Sequence, residues 1–235
     1  MTENGGHAAS PSTDFAAIAE RLRKGRTLVE TYDVIVESAL GVIDGCDHAG
    51  IGILSKGGFQ TAAATDEVVR LIDDLQNETG EGPCLEATTD QVWKLDNDLT
   101  HATQWPRLAE IMLPRTPVRS ALAFPLVHEG RRSGALNLFA DRVGAFDAEA
   151  MDSAAILAAF ASVAVSAAEE RQRSAELREG LESNREIGVA IGMLMAAHNI
   201  SSEAAFQILS SASQRLNRKL RDIAAGIVHG DRPGQ

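Results

Sequence analysis

The chain has 235 residues, of which 44% are apolar and 23% charged, and its formal net charge is −11. This composition is that of an ordinary globular protein, and the length fits one medium domain followed by a short second one. Proteins that bind nucleic acid over their whole surface are usually basic, so any nucleic-acid site here is expected to be a local cationic patch. The two cysteines, Cys46 and Cys84, form no CxxC pair, which excludes a disulfide framework and the common structural zinc sites.

Nothing in the sequence predicts export or membrane insertion. Residues 1–15 lack the apolar core of a secretory signal, and residues 1–13 are expected to form a disordered tail. The most apolar run, residues 154–168, is mostly alanine and serine and is shorter than the roughly 20 apolar residues of a membrane span. We therefore expect a cytoplasmic protein without membrane contact.

Helical and strand patterns alternate after the tail. Apolar residues from 14 to 43 follow a helical spacing, with a break near Gly25. Two apolar runs, 49–55 and 59–65, flank a Gly-Gly turn and predict a hairpin. Asp66 is placed to cap the helix that follows.

The next segments complete an α+β pattern. Residues 80–87, GEGPCLEA, predict a loop that turns into a short helix, QVWKL (91–95) predicts a strand, and residues 105–113 predict a helix. The clearest strand signal is a second hairpin, formed by residues 119–127 and 133–140. The order helix, hairpin, helix, strand, helix, hairpin, helix indicates an α+β domain on a mostly antiparallel sheet.

A long helix is predicted from Asp147 to about Asn184, where Gly180 is the one helix breaker. Its apolar residues keep the approximate 4-3 spacing of a coiled coil, which predicts a connector between domains and between subunits. The alternative is one packing helix followed by a separate one. The stripe consists of Ile156, Phe160, Val163, Ala167, Leu177 and Leu181.

The last fifth of the sequence predicts three short helices. The first, residues 186–198, is apolar on nearly every side, so it is expected to be buried or to pack against partners on two sides. Gly188 and Gly192 would allow close helix approach. The second helix is expected to run through Leu209, and the third to begin near Ser213.

The third of these helices combines an apolar stripe with a cationic face. The stripe consists of Leu216, Leu220, Ile223 and Ile227. The cations are Arg215, Arg218, Lys219 and Arg221. Arginine and lysine both bind phosphate, and Asn217 is able to hydrogen-bond to base edges or backbone. Charge runs are also typical of a solvated helix face, so this pattern alone leaves both interpretations open.

Residues 181–228 resemble the ANTAR domain, the RNA-binding output module of bacterial transcription-antitermination regulators. The markers are IGVAIGMLM in the first helix, the SSEAAF turn, and SQRLNRKLRDIA near the end. The resemblance implies that a dimer binds paired RNA stem-loops in leader transcripts. Ile191 departs from the family pattern, because many members have lysine or another polar residue there. The RNA-binding candidates are Arg215, Asn217, Arg218, Lys219, Arg221 and, more weakly, Arg185.

Residues from about 15 to 170 are similar to a GAF domain of the kind fused to ANTAR modules in actinobacteria. The matching segments are GEGPCLEA, WKLDNDL, WPRLAEI, RSALAFPL, GALNLFA and AFDAEAMD. The resemblance implies a six-stranded antiparallel sheet with helices on one face and a pocket for an unidentified small-molecule ligand on the other. Cys84, Trp93 and Trp105 are candidate pocket residues, although a packed thiol and core aromatics are the common alternatives. The sequence identifies no cofactor and no metal site.

The sequence therefore predicts a homodimeric GAF-ANTAR regulator with a disordered tail (1–13), a GAF-like sensor (14–168), a coiled-coil connector (169–184) and a three-helix RNA-binding module (185–230). No catalytic motif is found, so we expect no enzyme activity. One alternative is a signalling scaffold that binds a protein partner through its C-terminal helices. A DNA-binding helix-turn-helix around residues 199–201 is a weaker alternative, because the cations lie on the last helix and not across that turn.

Overall fold

A computed structural model describes residues 11–25, 27–55, 58–128 and 131–230. The chain divides into two compact units, Met1–Glu170 and Arg171–Gln235. Most of the predicted tail lies outside the described residues, and the first helix begins at Pro11.

The first unit is the predicted α+β domain. Its elements are α1 (Pro11–Lys24), α2 (Leu28–Val42), β1 (His48–Ser55), β2 (Gly58–Ala64), α3 (Glu67–Thr79), α4 (Pro83–Asp90), β3 (Lys94–Asp96), α5 (Pro106–Met112), β4 (Ser120–His128), β5 (Arg131–Ala140) and the first part of α6 (Ala148–His198).

The helix starts follow from side chains that satisfy free backbone N–H groups. Asp66 accepts hydrogen bonds from the backbone N–H groups of Val68 and Val69, which confirms the predicted cap of α3. Thr27 and Glu30 form a capping box at the start of α2. The predicted break near Gly25 is also confirmed, since α1 ends just before it.

The sheet has the strand order β2-β1-β5-β4-β3, and all neighbours are antiparallel. Both predicted hairpins are present. The described residues form five strands, so the six-stranded sheet implied by the family resemblance is not what they show. The strand predicted from QVWKL is confined to β3, because Gln91 adopts a left-handed conformation (φ 58°) as the C-cap of α4 and Val92 and Trp93 lie outside the strand.

Helices cover both faces of the sheet, whereas the resemblance implied helices on one face only. On one face, α1, α2 and α6 pack over residues such as Leu136 and Leu138. On the other face, α3 and α5 pack around Phe139, and α4 packs over Ala123 and Ala135. The alternation along β5 follows from the two-residue period of a strand.

The second unit consists of the last part of α6 together with α7 (Ser202–Leu216) and α8 (Leu220–His229). The long helix is confirmed, and it continues without a break through Gly180 to His198. The predicted first module helix, residues 186–198, is therefore the end of α6 and not a separate element.

The boundary between α7 and α8 corrects the prediction. The second helix runs to Leu216 and not to Leu209, and the third begins at Leu220 and not near Ser213. Asn217 ends α7 in a left-handed conformation (φ 48°), which short polar side chains tolerate. The predicted apolar stripe therefore crosses a helix end, and Leu216 is 48% exposed.

Judged by length and apolar composition alone, α6 is the one helix of the described residues that would be able to cross a membrane. A core helix of a globular domain meets the same requirement, and Ala154, Leu157, Ala161 and Val165 of α6 are buried in the first unit. The helix is therefore weak evidence for a membrane.

Candidate nucleic-acid interface

The three helices of the second unit pack around a small cluster of buried apolar side chains. Ala190 of α6, Leu209 of α7 and Ala224 of α8 form this core. Ile191 is partly buried against it, so the residue that departs from the family pattern serves the apolar packing of the module. The further partly buried side chains are Ile187, Leu194, Leu220, Ile223, Ile227 and Val228.

The turn between α7 and α8 holds the backbone of Arg218 in place. The backbone N–H of Arg218 donates to the carbonyl oxygen of Ser213 (3.1 Å), and the Ser213 hydroxyl donates to the carbonyl oxygen of Arg218 (2.5 Å). The backbone N–H of Asn217 donates to the carbonyl oxygens of Gln214 and Ser213. The turn thus fixes the backbone while the Arg218 side chain stays exposed.

The cations gather around this turn and not along the face of one helix. Arg215 lies in the last turn of α7, Arg218 and Lys219 form the connection, and Arg221 lies in the first turn of α8. Arg215, Arg218 and Lys219 are exposed, and none of them forms an ion pair with another described residue. Arg221 differs, because its guanidinium contacts the carboxylates of Glu179 and Asp222.

The start of α8 adds positive electrostatic potential to the same place. Lys219 is the N-cap residue, and no side chain caps this helix end. The free N–H groups of a helix N-terminus favour anions such as phosphate. Three unpaired cations and an uncapped helix start therefore converge on one exposed turn.

The remaining RNA candidate, Arg185, lies elsewhere on the module. It is exposed on α6 and precedes Glu186, whose carboxylate lies 3.7 Å from His229 Nε2. Because His229 is the last residue of α8, Arg185 lies near the end of that helix and not near its cationic start.

The three candidate pocket residues of the first unit lie in different environments. Trp105 is fully buried, and its indole N–H donates to Glu86 Oε1 (2.9 Å). Cys84 is also fully buried, and burial raises the pKa of its thiol well above its usual range, with the charge of Asp73 adding to the shift. Trp93 is 49% exposed at the surface.

A cavity of about 130 Å³ lies elsewhere in this unit, and it is lined by residues of α1, α2 and α6 and by loop residues next to these helices. None of the three candidate pocket residues lines it. Its walls include the acidic side chains Asp44, Asp147 and Glu149.

A buried polar centre lies beside Cys84 and was missed at the level of sequence. Asn137, in the middle of β5, is fully buried, and its amide lies close enough to the Cys84 thiol to lower the pKa of that thiol, but neither amide atom has a partner of good hydrogen-bond geometry among the described residues. The Thr88 hydroxyl of α4 is also buried, and it has no hydrogen-bond partner among the residues that the structure describes. Burial raises the pKa of the nearby Asp73 to about 6, although the Thr61 hydroxyl donates to it (2.6 Å). The asparagine inside the apolar segment GALNLFA was the available signal.

His48, the first residue of β1, bridges two carboxylates. Its Nδ1 lies 2.7 Å from Asp66 Oδ2, and its Nε2 lies 3.1 Å from Asp141 Oδ1. Both ring nitrogens carry a proton only in the charged imidazolium. Burial alone would lower the pKa of His48, yet the two aspartates outweigh burial and raise it. The partners are 18 and 93 residues away in the chain, so no local spacing reveals them.

The comparisons with known proteins assign both units. Residues 25–166 match the family model of the GAF domain, and residues 175–228 match the model of the ANTAR domain. The GAF domain is a sensor domain, and the ANTAR domain is an RNA-binding module of antitermination regulators; both are regulatory domains. None of the curated proteins compared with the chain matches it.

Solved structures confirm the fold of the first unit. The GAF domain of an Acinetobacter phosphoenolpyruvate-protein phosphotransferase is 14% identical, with a TM-score of 0.55, and the match covers 68% of this chain and 94% of that one. The corresponding GAF domain from Coxiella burnetii is 15% identical, with a TM-score of 0.53 and coverages of 72% and 99%. The reduced form of fRMsr of Staphylococcus aureus is 12% identical, with a TM-score of 0.52 and coverages of 70% and 99%. At these identities the likeness shows the fold alone.

Proposed function

Because this chain belongs to the GAF-ANTAR regulators, we propose that it is a homodimeric, signal-responsive protein that binds paired stem-loops in leader transcripts. Bound RNA would then be unable to form the competing terminator hairpin. The observation that carries this proposal is the turn between α7 and α8, where three exposed cations that form no ion pair with another described residue surround the start of a helix that has no side-chain cap.

The chemistry of this turn suits an RNA backbone. Arg215 and Arg218 offer planar guanidinium groups for phosphate, and Lys219 offers an ammonium group. Asn217 is exposed between them and has hydrogen-bonding capacity for a base edge in an open loop. Since the whole chain is strongly acidic, binding depends on this local patch and should weaken steeply with salt.

The dimer rests on the exposed part of the predicted coiled-coil stripe. Val163, Leu177 and Leu181 of α6 are 64–70% exposed, and Ile156 and Phe160 are also exposed. A second copy of α6 would cover these side chains, as the seam of a coiled coil does. Two modules held in one dimer raise the apparent affinity for paired stem-loops through effective concentration. The connector between residues 169 and 184 belongs to this seam in our proposal.

We assign signal sensing to the first unit, and the small-molecule ligand of this unit stays a prediction. Cys84 adjoins Asn137, whose buried amide has no partner of good hydrogen-bond geometry among the described residues and so keeps hydrogen-bonding capacity that a ligand would use. The roles of Trp93 and Trp105 in ligand binding also stay predictions. We propose a regulator that acts in the cytoplasm without catalytic activity.

The test is fluorescence anisotropy of the full chain with a two-hairpin leader RNA across a salt series. Single-hairpin RNA and duplex DNA serve as ligand controls. The wild type should bind the paired hairpins most tightly, and affinity should fall as salt rises. Arg218→Glu should weaken binding at least tenfold without unfolding, because it places a carboxylate against phosphate at about unchanged fold stability. Arg115→Glu is the matched control, since Arg115 is exposed on the first unit.

One observation favours a second candidate, a scaffold that binds a protein partner. Phe206 and Ile208 of α7 are about half exposed, which is unusual for large apolar side chains and suits a protein interface. A complex from cells that survives RNase and high salt, together with no RNA binding by the purified chain, would favour the scaffold over the RNA-binding regulator.

A further inference from the structure

Arg221 differs from the other cations around the α7–α8 turn because it already forms ion pairs with described carboxylates. Its Nη1 contacts Glu179 Oε1, and its Nε lies 3.7 Å from Asp222 Oδ1. Its side chain is 37% exposed, whereas Arg215 and Arg218 are exposed and form no ion pair within the described part of the chain. The four cations are therefore not equivalent, although the sequence presents them as one run.

The closer of the two carboxylates, that of Glu179, belongs to α6. Glu179 lies 42 positions before Arg221 in the sequence, and both residues belong to the second unit. A second contact joins the same two helices, because His229 at the end of α8 lies 3.7 Å from Glu186 of α6. The carboxylates of Glu179 and Glu186 therefore come from α6, whereas Asp222 belongs to α8 itself.

A carboxylate and a phosphate compete for the same guanidinium donors. We propose that Glu179 is an internal competitor of RNA: its carboxylate occupies Arg221, and an RNA phosphate reaches Arg221 only by displacing it. The proposal rests on the RNA-binding function proposed above and concerns its regulation. On this proposal, Arg221 contacts RNA only after Glu179 has been displaced, whereas Arg215, Arg218 and Lys219 are available to RNA at all times.

The position of Glu179 offers a route for the signal. It lies on the same continuous helix whose residues Leu157 and Val165 are buried in the core of the sensor unit. A turn or shift of α6 that removes Glu179 from Arg221 adds one cation to the RNA site. The sensor thus needs to move one side chain of the connector, with no refolding of the module.

The size of the effect follows from the exposure of the pair. Exposed ion pairs are weak, so relief of the competition should tighten RNA binding by about threefold to fivefold. Removing the competing negative charge also frees one cation for phosphate. The slope of log affinity against log salt should therefore become steeper by about 0.7–0.9.

The experiment compares Glu179→Gln with Glu182→Gln in the full-length protein, using the two-hairpin leader RNA. Both changes remove one negative charge from an exposed position of α6, but only Glu179 contacts Arg221. We expect the threefold to fivefold gain for Glu179→Gln and less than half of it for Glu182→Gln. In the Arg221→Gln background, Glu179→Gln should give no more gain than Glu182→Gln does.

Four results would overturn the inference. Equal gains from the two glutamate variants would show a general charge effect, and a gain that persists in the Arg221→Gln background would show that Arg221 is not the target. Wild-type RNA binding that is unchanged by Glu179→Gln would reject the competitor while leaving the proposed function intact. Failure of the wild type and of every variant to bind RNA would reject the proposed function and the inference with it.

Discussion

Two leucines of α7 provide a sharp test of the structure of the output module. Leu209 is fully buried between the alanines of α6 and α8, whereas Leu216 is 48% exposed at the end of the helix. Truncation to alanine removes the same three carbon atoms at both positions. At Leu209, loss of apolar transfer free energy amounts to about 2.4 kcal/mol, at ~0.8 kcal/mol for each carbon. The residual cavity adds to this, which gives a total of about 3 kcal/mol.

We expect Leu209→Ala to unfold the module locally, because Leu209 is the one large side chain among the four fully buried described residues of the module, the others being Ala190, Ala205 and Ala224. Leu216→Ala should cost less than about 0.5 kcal/mol, as for an exposed position. Hydrogen exchange measured on the full chain reports the two units separately. Amides of residues 202–229 should exchange much faster in Leu209→Ala than in Leu216→Ala, while amides of β5 should be unchanged in both.

The reasoning would be refuted if the two variants lost equal protection. That result would mean that Leu216 belongs to the apolar stripe of one continuous helix, as its spacing from Leu220 predicts. Faster exchange in β5 of the Leu209→Ala variant would show instead that the two units unfold together.

Three further predictions concern single groups. Asp66 and Asp141 raise the pKa of His48 in the folded protein. The stabilisation from this bridge is therefore complete below the unfolded pKa of 6.5 and is lost as pH rises through the folded pKa. The thermal midpoint of the wild type should fall from pH 6 to pH 8.5, and that of His48→Gln should fall less. Asn137→Leu should stabilise the ligand-free first unit by about 1 kcal/mol, because it removes two buried polar atoms that have no partner of good hydrogen-bond geometry among the described residues. Urea unfolding measures the change. A loss of stability would indicate that the amide has a hydrogen-bond partner in solution. Asn217→Gly should leave the free energy of unfolding of the module unchanged or slightly higher, whereas Asn217→Ala should lower it by about 1 kcal/mol, because the backbone at this position is left-handed. Equal unfolding curves for the two variants would contradict this.

Much of the first unit could be predicted because its signals are local. Asp66 caps α3 through the backbone of the next three residues, and such a contact depends only on the neighbouring sequence. The two hairpins follow from apolar runs on either side of short turns. The same holds for the break at Gly25 and for the segment 175–228, whose pattern identifies the output module.

The end of α7 could not be predicted, although it decides the geometry of the candidate site. The spacing of Leu216, Leu220 and Ile223 suits one continuous helix, and Asn217 is tolerated both inside a helix and at a left-handed end. These local preferences differ by little free energy. Packing of α7 and α8 around Leu209 selects the break, and this places the cations around a turn.

The sequence by itself therefore determined the two domain families, the order of the elements and the presence of a cationic cluster, because periodicity, caps and motifs act over short distances along the chain. Tertiary structure alone decided that Arg221 is paired with Glu179, that His48 lies between two aspartates and that the Asn137 amide is buried beside Cys84. Each of these depends on groups far apart in sequence, and whether a charge is free or paired is a property of the folded arrangement.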